Sequence, residues 1–282
     1  MQPAPTAQAE QTAPQPSASI PTWLGDEPNL LTPEVIAEFA RRMESLVTED
    51  DTPVDNLFSA KQQRLLVDSL YASWQHPRFG TRFLADANVG VYYLLDPSGL
   101  VVPDCFVSVD VTPIADLWSK PGRSYMVWMY GKPPDVVVEI VSNREGKELG
   151  EKLAIYERMR VRYYVVYDPQ RLLGEPALRV FVNTAEGWQA LPEGWMSAIG
   201  LGVKLWQGEY ERVAAEWLRW CDAEGNVLLT GEERAERAEA RAERAEARAD
   251  QAEQQLALER QRAERLAAQL RALGVDPDAL TR

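Results

Sequence analysis

Histidine is nearly absent from this 282-residue chain, with His76 as its single copy. A multi-histidine zinc site is therefore excluded, and a nucleophile–histidine triad could be built only around His76. His76 precedes Pro77 at the expected end of a helix, which assigns it a surface position. Cysteine is almost as scarce. Cys105 and Cys221 cannot form a disulfide framework, and both lie in apolar stretches, so they read as reduced, buried thiols of a cytoplasmic protein. Basic charge is also short: 30 Lys and Arg stand against 43 Asp and Glu, and the net −13 offers no bulk footprint for a nucleic acid. No run approaches the roughly 20 apolar residues that cross a bilayer, so no membrane partner is expected. The opening MQPAPTAQAEQTAPQPSASIP has neither a basic n-region nor an apolar centre. Residues 1–22 are therefore read as a disordered leader rather than a signal peptide. If such a chain hydrolyses anything, carboxylates, lysine and metal are the groups left to do it.

What is present alternates between helical and strand patterns. Thr32-Pro33-Glu34 has the form of a cap, a proline at the first helical position and an acid in the first turn, so a helix is expected to about Val47. The acidic segment Thr48–Asn56 reads as a loop, and Ser59 as the cap of a second helix reaching about Gln75. Strands are expected over Asn88–Leu95 and Leu100–Val109, joined by the turn Asp96-Pro97-Ser98-Gly99. A long polar connection leads to Tyr125–Tyr130 and then to the central strand, and Lys120, Arg123 and Lys132, which flank it, read as a solvated loop. A central strand follows at Asp135–Val141, then a helix at Lys147–Met159 and a strand at Arg162–Tyr167. Shorter strands are expected at Leu178–Val182, Trp188–Leu191 and Val203–Leu205, with Trp188, Trp195, Trp206, Trp217 and Trp220 serving as packing residues. The order is that of an α/β fold with a mixed sheet.

From Gly231 the composition changes to ERAERAEARAERAEARADQAEQQLALERQRAERLAAQLRALG. Small or apolar residues recur at alternating spacings of three and four, from Ala235 through Ala252 and from Leu256 to Leu273, with Glu259 as the one break. That is a coiled-coil heptad pattern, and self-association, as a homodimer, is expected of it. Residues 231–282 hold 10 of the 30 basic and 12 of the 43 acidic residues, which leaves −11 on residues 1–230.

The stretch PDVVVEIVSNREGKELGEKLAIYERMRVRYYVVYDP, Pro134–Pro169, carries the chemistry. Val136–Val141 is a buried-strand run, yet Glu139 interrupts it and Asp135 opens it. Alternation places Asp135, Val137 and Glu139 on one strand face. A carboxylate in such a run is costly unless it is paired or binds metal. Lys152 lies on the helical stripe shared by Leu149 and Tyr156. A second Pro-Asp, Pro103-Asp104, leads into Cys105-Phe106-Val107, so Asp104 and Glu139 can converge if the two strands are neighbours. Two carboxylates suit a hard divalent ion, and a lysine can offset charge on a phosphate. The same residues could instead form a Lys152–Glu139 ion pair that only fixes packing.

These motifs resemble the Uma-two-type restriction endonucleases, within the PD-(D/E)XK nuclease-like superfamily. The likeness rests on Pro103-Asp104, on PDVVVEIVS with Asp135, Glu139 and Ser142, and on Gly150-Glu151-Lys152-Leu153 with Tyr156. Arg162-Tyr163-Tyr164 leading to Asp168-Pro169 completes it, over roughly residues 56–210. The resemblance implies a restriction-endonuclease-like core with a mixed central sheet flanked by helices. It implies Mg2+ or Mn2+ on Asp104 and Glu139, Lys152 completing a catalytic trio, and supporting roles for Asp135, Ser142 and Tyr156. The superfamily's usual lysine position, two residues after the acid, is Val141 here, so the lysine has moved to the helix. Many relatives carry a histidine in the first core helix, where this chain has Gln62 and Gln63. The expected layout is a leader over 1–22, a nuclease-like α/β domain over 23–230 and a coiled-coil tail over 231–282. The expected activity is metal-dependent hydrolysis of DNA by an endonuclease. The alternative is a non-catalytic nuclease fold that binds a partner through its coil.

Overall fold

The computed structural model describes residues 32–46, 56–142 and 147–273. The leader expected over residues 1–22 and nearly all of the loop expected over Thr48–Asn56 lie outside them. The chain divides into two compact units, one running to Leu228 and the other made of Tyr71–Ser73 with the segment from Leu229 onward.

The elements in chain order are α1 (Pro33–Ser45), α2 (Leu57–Ser73), β1 (Phe83–Asp86), β2 (Val91–Tyr92), β3 (Leu100–Val101), β4 (Cys105–Val109), β5 (Tyr125–Met126), α3 (Val127–Tyr130), β6 (Val136–Ile140), α4 (Glu151–Arg158), β7 (Tyr163–Tyr167), β8 (Leu178–Thr184), β9 (Gly187–Ala190), β10 (Trp195–Met196), β11 (Leu201–Tyr210), β12 (Val213–Cys221) and α5 (Gly231–Ala272). The main sheet has the order β1-β4-β6-β7-β8-β9. Only β6 and β7 run parallel, because α4 carries the chain back between them; the other neighbours are antiparallel. Two small sheets, β3-β2-β5 and β10-β11-β12, complete a mixed α/β fold.

The valine run of β6 follows from burial on both sides. Val136, Val138 and Ile140 pack with Leu66 and Leu70 of α2 and with Leu218 and Trp220 of β12. Val137 and Val141 point the other way, toward Tyr156 and Met159 at α4 and Tyr164 of β7. A strand covered on both faces reads as continuous apolar sequence rather than alternation. Trp217 and Trp220 are fully buried, in keeping with packing roles, and both cysteines are buried free thiols.

Several boundaries differ from expectation. Asn56, not Ser59, caps α2: its side chain accepts from Ser59 N–H, and Ser59 is buried in the first turn. The strand expected over Leu100–Val109 splits at Val102-Pro103-Asp104, and its halves, β3 and β4, join different sheets. Proline cannot donate to a ladder, which makes Pro103 a natural break. The expected Val203–Leu205 strand is the middle of a long hairpin, β11–β12, paired from Gly202↔Cys221 to Tyr210↔Val213. Its turn residues, Glu211 (φ 45°) and Arg212 (φ 63°), both take the left-handed conformation, where Asn-Gly would be the readable signal.

His76 is also corrected: it is buried, with Nδ1 accepting from Arg78 N–H at 3.0 Å and Phe79 N–H at 3.1 Å. Its ring stacks on Phe79, so the His-Pro-Arg-Phe turn folds the imidazole inward.

One buried polar contact fastens α2 to β12. Gln62 Nε2 donates to Leu218 O at 2.8 Å, and Gln62 Oε1 accepts from Leu218 N–H at 2.9 Å. Gln62→Ala should therefore lower stability by roughly 2–4 kcal/mol, since it leaves two buried backbone groups without partners. Denaturant unfolding checks this; a loss below about 0.5 kcal/mol would mean that the pair is dispensable.

The second unit is dominated by α5. Thr230 and Glu233 close a reciprocal capping box at its start, and none of its residues is buried. Among the described residues no helix is long and apolar enough to cross a membrane.

Candidate active site at the ends of β4 and β6

The site grows out of the place where the β4–β6 ladder stops. The last paired residues there are Cys105 and Val138. Beyond them the Asp104 side chain replaces the backbone: Oδ2 accepts from Ile140 N–H at 2.6 Å. Asp104 is thereby held against the residue that follows Glu139. Its other oxygen, Oδ1, accepts from Gln63 Nε2 at 2.9 Å, and Asn88 Nδ2 donates to Gln63 Oε1 at 3.1 Å.

Glu139 points to the α4 side of the sheet and is fully buried. Tyr156 O–H donates to its Oε1 and Lys152 Nζ to its Oε2, both at 2.6 Å. Lys152 and Tyr156 are one helical turn apart on α4, so one face of that helix delivers both to one carboxylate. Burial raises the Glu139 pKa to about 8; Lys152 pulls it down and Asp104 pushes it further up. For Lys152, burial works against the charge, but the neighbouring Glu139 outweighs it and holds the ammonium above its ordinary pKa. Burial, followed by Glu139, pushes the Tyr156 hydroxyl well up, so it stays a donor. The Lys152 side chain is 28 % exposed and that of Glu139 only 1 %, so the site opens on the lysine side.

Asp104, Glu139, Lys152 and Tyr156 therefore meet. Asp135 and Ser142 do not join them. Asp135 lies at the opposite end of β6, where Oδ2 accepts from Val109 N–H at 2.8 Å and pairs with Lys132. It lines a cleft of about 400 Å³ with Lys132, Arg160 and Arg162. Sharing a strand face is not sharing a site: four residues of strand span about 13 Å. Ser142 is exposed just past β6, and so is Lys147.

Two residues near the acids escaped sequence reasoning. Gln63 stood only as a departure from a histidine, yet it is the side chain that orients Asp104, and it also lines a cleft of about 590 Å³ with Arg64, Asp86 and Tyr210. Glu148 is buried with Oε2 unpaired, and its charge helps to hold the Lys152 ammonium. Its spacing of four residues before Lys152 was the available signal.

The donor set of Asp104 and Glu139 is all oxygen, which suits a hard divalent ion. Magnesium commonly takes one or two carboxylates and fills its shell with water and substrate phosphate. Each Glu139 oxygen carries one donor, and a carboxylate oxygen has two lone-pair directions, so the residues fit such an ion. Among the described residues no group of three or more His, Cys, Asp or Glu side chains gathers into a full cage.

Gln63→Ala should lower any metal-dependent activity by roughly ten- to a hundredfold, the usual effect of losing a group that orients a metal ligand. Melting should stay near wild type, because the contact lies at the edge of the core. Full activity in the variant would show that Asp104 needs no such support.

Residues 50–196 match a family model whose description reads "Uma2: Putative restriction endonuclease". No curated protein matches the chain.

Proposed function

The chain belongs to the Uma2 family, and from that premise we propose that Asp104, Glu139 and Lys152 form a metal-dependent site that hydrolyses phosphodiester bonds of DNA. The observation that carries this reading is the pairing of one buried carboxylate with a lysine and a tyrosine from α4, with a second carboxylate bonded to the next backbone N–H. Asp104 reaches across to Ile140 N–H, and Lys152 reaches Glu139 from α4.

Mg2+ or Mn2+ held by Asp104 and Glu139 would supply an acidified water and offset negative charge on the scissile phosphate. The chain's own residues do the rest. Glu139 must give up its proton to serve as a ligand, and Lys152 lowers the cost of doing so. Tyr156 fixes Oε1, so the carboxylate cannot rotate away. Lys152, whose side chain is 28 % exposed, would face an incoming phosphate with its positive charge. Gln63 and the Ile140 N–H together set the Asp104 plane.

α5 supports a further element of this reading: self-association through a coiled coil, as a homodimer. Two copies of one active site suit cleavage of both strands of a duplex.

A second reading, a nuclease fold kept for partner binding without catalysis, is favoured by one observation. Both Glu139 oxygens already have donors, as in a closed structural ion pair. Melting with added Mn2+ separates the two. An active site predicts a rise that grows with metal concentration, about 2.7 kcal/mol of stabilisation at a hundred times the dissociation constant. Asp104→Asn and Glu139→Gln should abolish it; the closed ion pair predicts no rise in any of them.

A further inference from the structure

We infer that α5 pairs with the α5 of a second copy in parallel and in register, so that both catalytic units attach to the same end of one coil. This rests on the reading that α5 self-associates. The helix is continuous from Gly231 to Ala272, so no interruption of the helix shifts its heptad positions off one seam. Forty-two residues at 1.5 Å each make a rod of about 63 Å. Seam residues such as Leu256 and Leu266 are 51 % and 52 % exposed among the described residues.

The flanks of the seam carry the orientation. With Ala235 as the first seam position and Ala238 as the second, the residues just before the first are Arg234, Arg241 and Arg248. Those just after the second are Glu239, Glu246 and Glu253. One flank is thus wholly arginine and the other wholly glutamate over three heptads. In a parallel pair opposite flanks meet, with Arg241 facing Glu246 of the second copy and Arg248 facing Glu253 of the second copy. In an antiparallel pair like flanks meet, and arginine faces arginine. Arg234 is partly engaged already, donating to the Ala72 carbonyl, so the discrimination begins at Arg241.

Glu259 fixes the register. It occupies a seam position between Leu256 and Ala263, followed by Arg260 on the glutamate flank. In the parallel register Glu259 meets Glu259 of the second copy across the seam, with Arg260 of each copy on the adjacent flank to offset the paired carboxylates. A slip of one heptad instead sets Glu259 against Ala252 or Leu266 of the second copy, with no arginine of that copy on the adjacent flank. A polar group at one seam position specifies alignment at some expense of stability. The alanine-rich half packs closely but buries little, so Leu256, Leu266, Leu270 and Leu273 supply most of the affinity.

The consequence is functional. A parallel coil tethers two copies of the catalytic unit at one end, the connectivity that cleavage of both strands of one duplex calls for. An antiparallel coil would attach them at opposite ends of a rod about 63 Å long.

Thiol crosslinking of the full chain tests this, because Cys105 and Cys221 are buried and give no background. Ala263→Cys should crosslink to itself under mild oxidation. When it is mixed with Ala245→Cys, no mixed product should form. Glu246→Arg with Glu253→Arg should weaken the dimer at least tenfold by sedimentation, and Arg241→Glu with Arg248→Glu supplied on the other chain should restore it. Mixed 263–245 products in place of self-products would overturn the parallel assignment while leaving self-association standing. A wild-type chain that sediments as a monomer would overturn both.

Discussion

Raising the pH from about 4.5 to about 8 should weaken the metal-free protein, and Glu139→Gln should remove most of that loss. The folded protein holds the Glu139 proton up to about 8, chiefly through burial, whereas the unfolded chain releases it near the ordinary value of 4.5. The folded state therefore binds more protons across that window. Its contribution is fully present below the unfolded pKa and is lost as pH rises through about 8. The slope is about 1.4 kcal/mol per pH unit while only one state titrates, so the total is on the order of a few kcal/mol. Glutamine keeps the shape and the neutrality, although it cannot pair with the Lys152 ammonium. Asp86, also raised by burial, leaves a residual slope of the same sign. Glu211 acts in a different window: Arg64 and Lys61 hold it at about 2, so its stabilisation is lost only as the pH falls below the ordinary carboxylate range. Denaturant unfolding across pH in a chelating buffer checks the prediction. Parallel curves for wild type and Glu139→Gln would show that Glu139 is ionised when buried.

Loss of catalysis should be larger. Asp104→Asn, Glu139→Gln and Lys152→Ala should each cut metal-dependent nicking of supercoiled DNA by roughly a hundred- to a thousandfold or more. None should unfold the protein, since Asp104→Asn and Glu139→Gln keep the side-chain shape and Lys152 is partly exposed. The three should differ in kind. Asp104→Asn and Glu139→Gln also lose the metal-induced rise in melting. Lys152→Ala keeps part of it, because both acids remain, and its defect appears mainly in turnover. Asp135→Ala is a useful contrast: Asp135 holds Val109 N–H and Lys132 at the far end of β6. It should lower stability more than activity. The opposite result would bring Asp135 back to the acids.

The catalytic end of the fold was legible because its signals are local and costly. A glutamate inside a valine run and a Pro-Asp at a strand mouth are expensive unless they do something. The strands around them, β6 and β7, lie within one residue of expectation, whereas α4 begins at Glu151 rather than Lys147, because Lys147–Leu149 forms a separate 3-10 turn. What was hidden depended on partners distant in sequence. Gln63 reaches Asp104 across 41 positions, and Gln62 reaches Leu218 across 156. Neither residue carries a pattern that announces such a contact. The β11–β12 turn escaped because Glu211 and Arg212 take left-handed angles with no glycine or asparagine to mark them. Asp135 misled for a simple reason. Alternation tells which face a side chain occupies, and says nothing of how far along the strand the site lies.

The most direct test of the central claim is nicking of supercoiled plasmid by the purified full chain, measured beside Glu139→Gln with Mg2+ or Mn2+ and with chelator. The account predicts nicked circles from the wild type only when metal is present, and none from Glu139→Gln under either condition. Equal nicking by both chains, or nicking that survives the chelator, would contradict it.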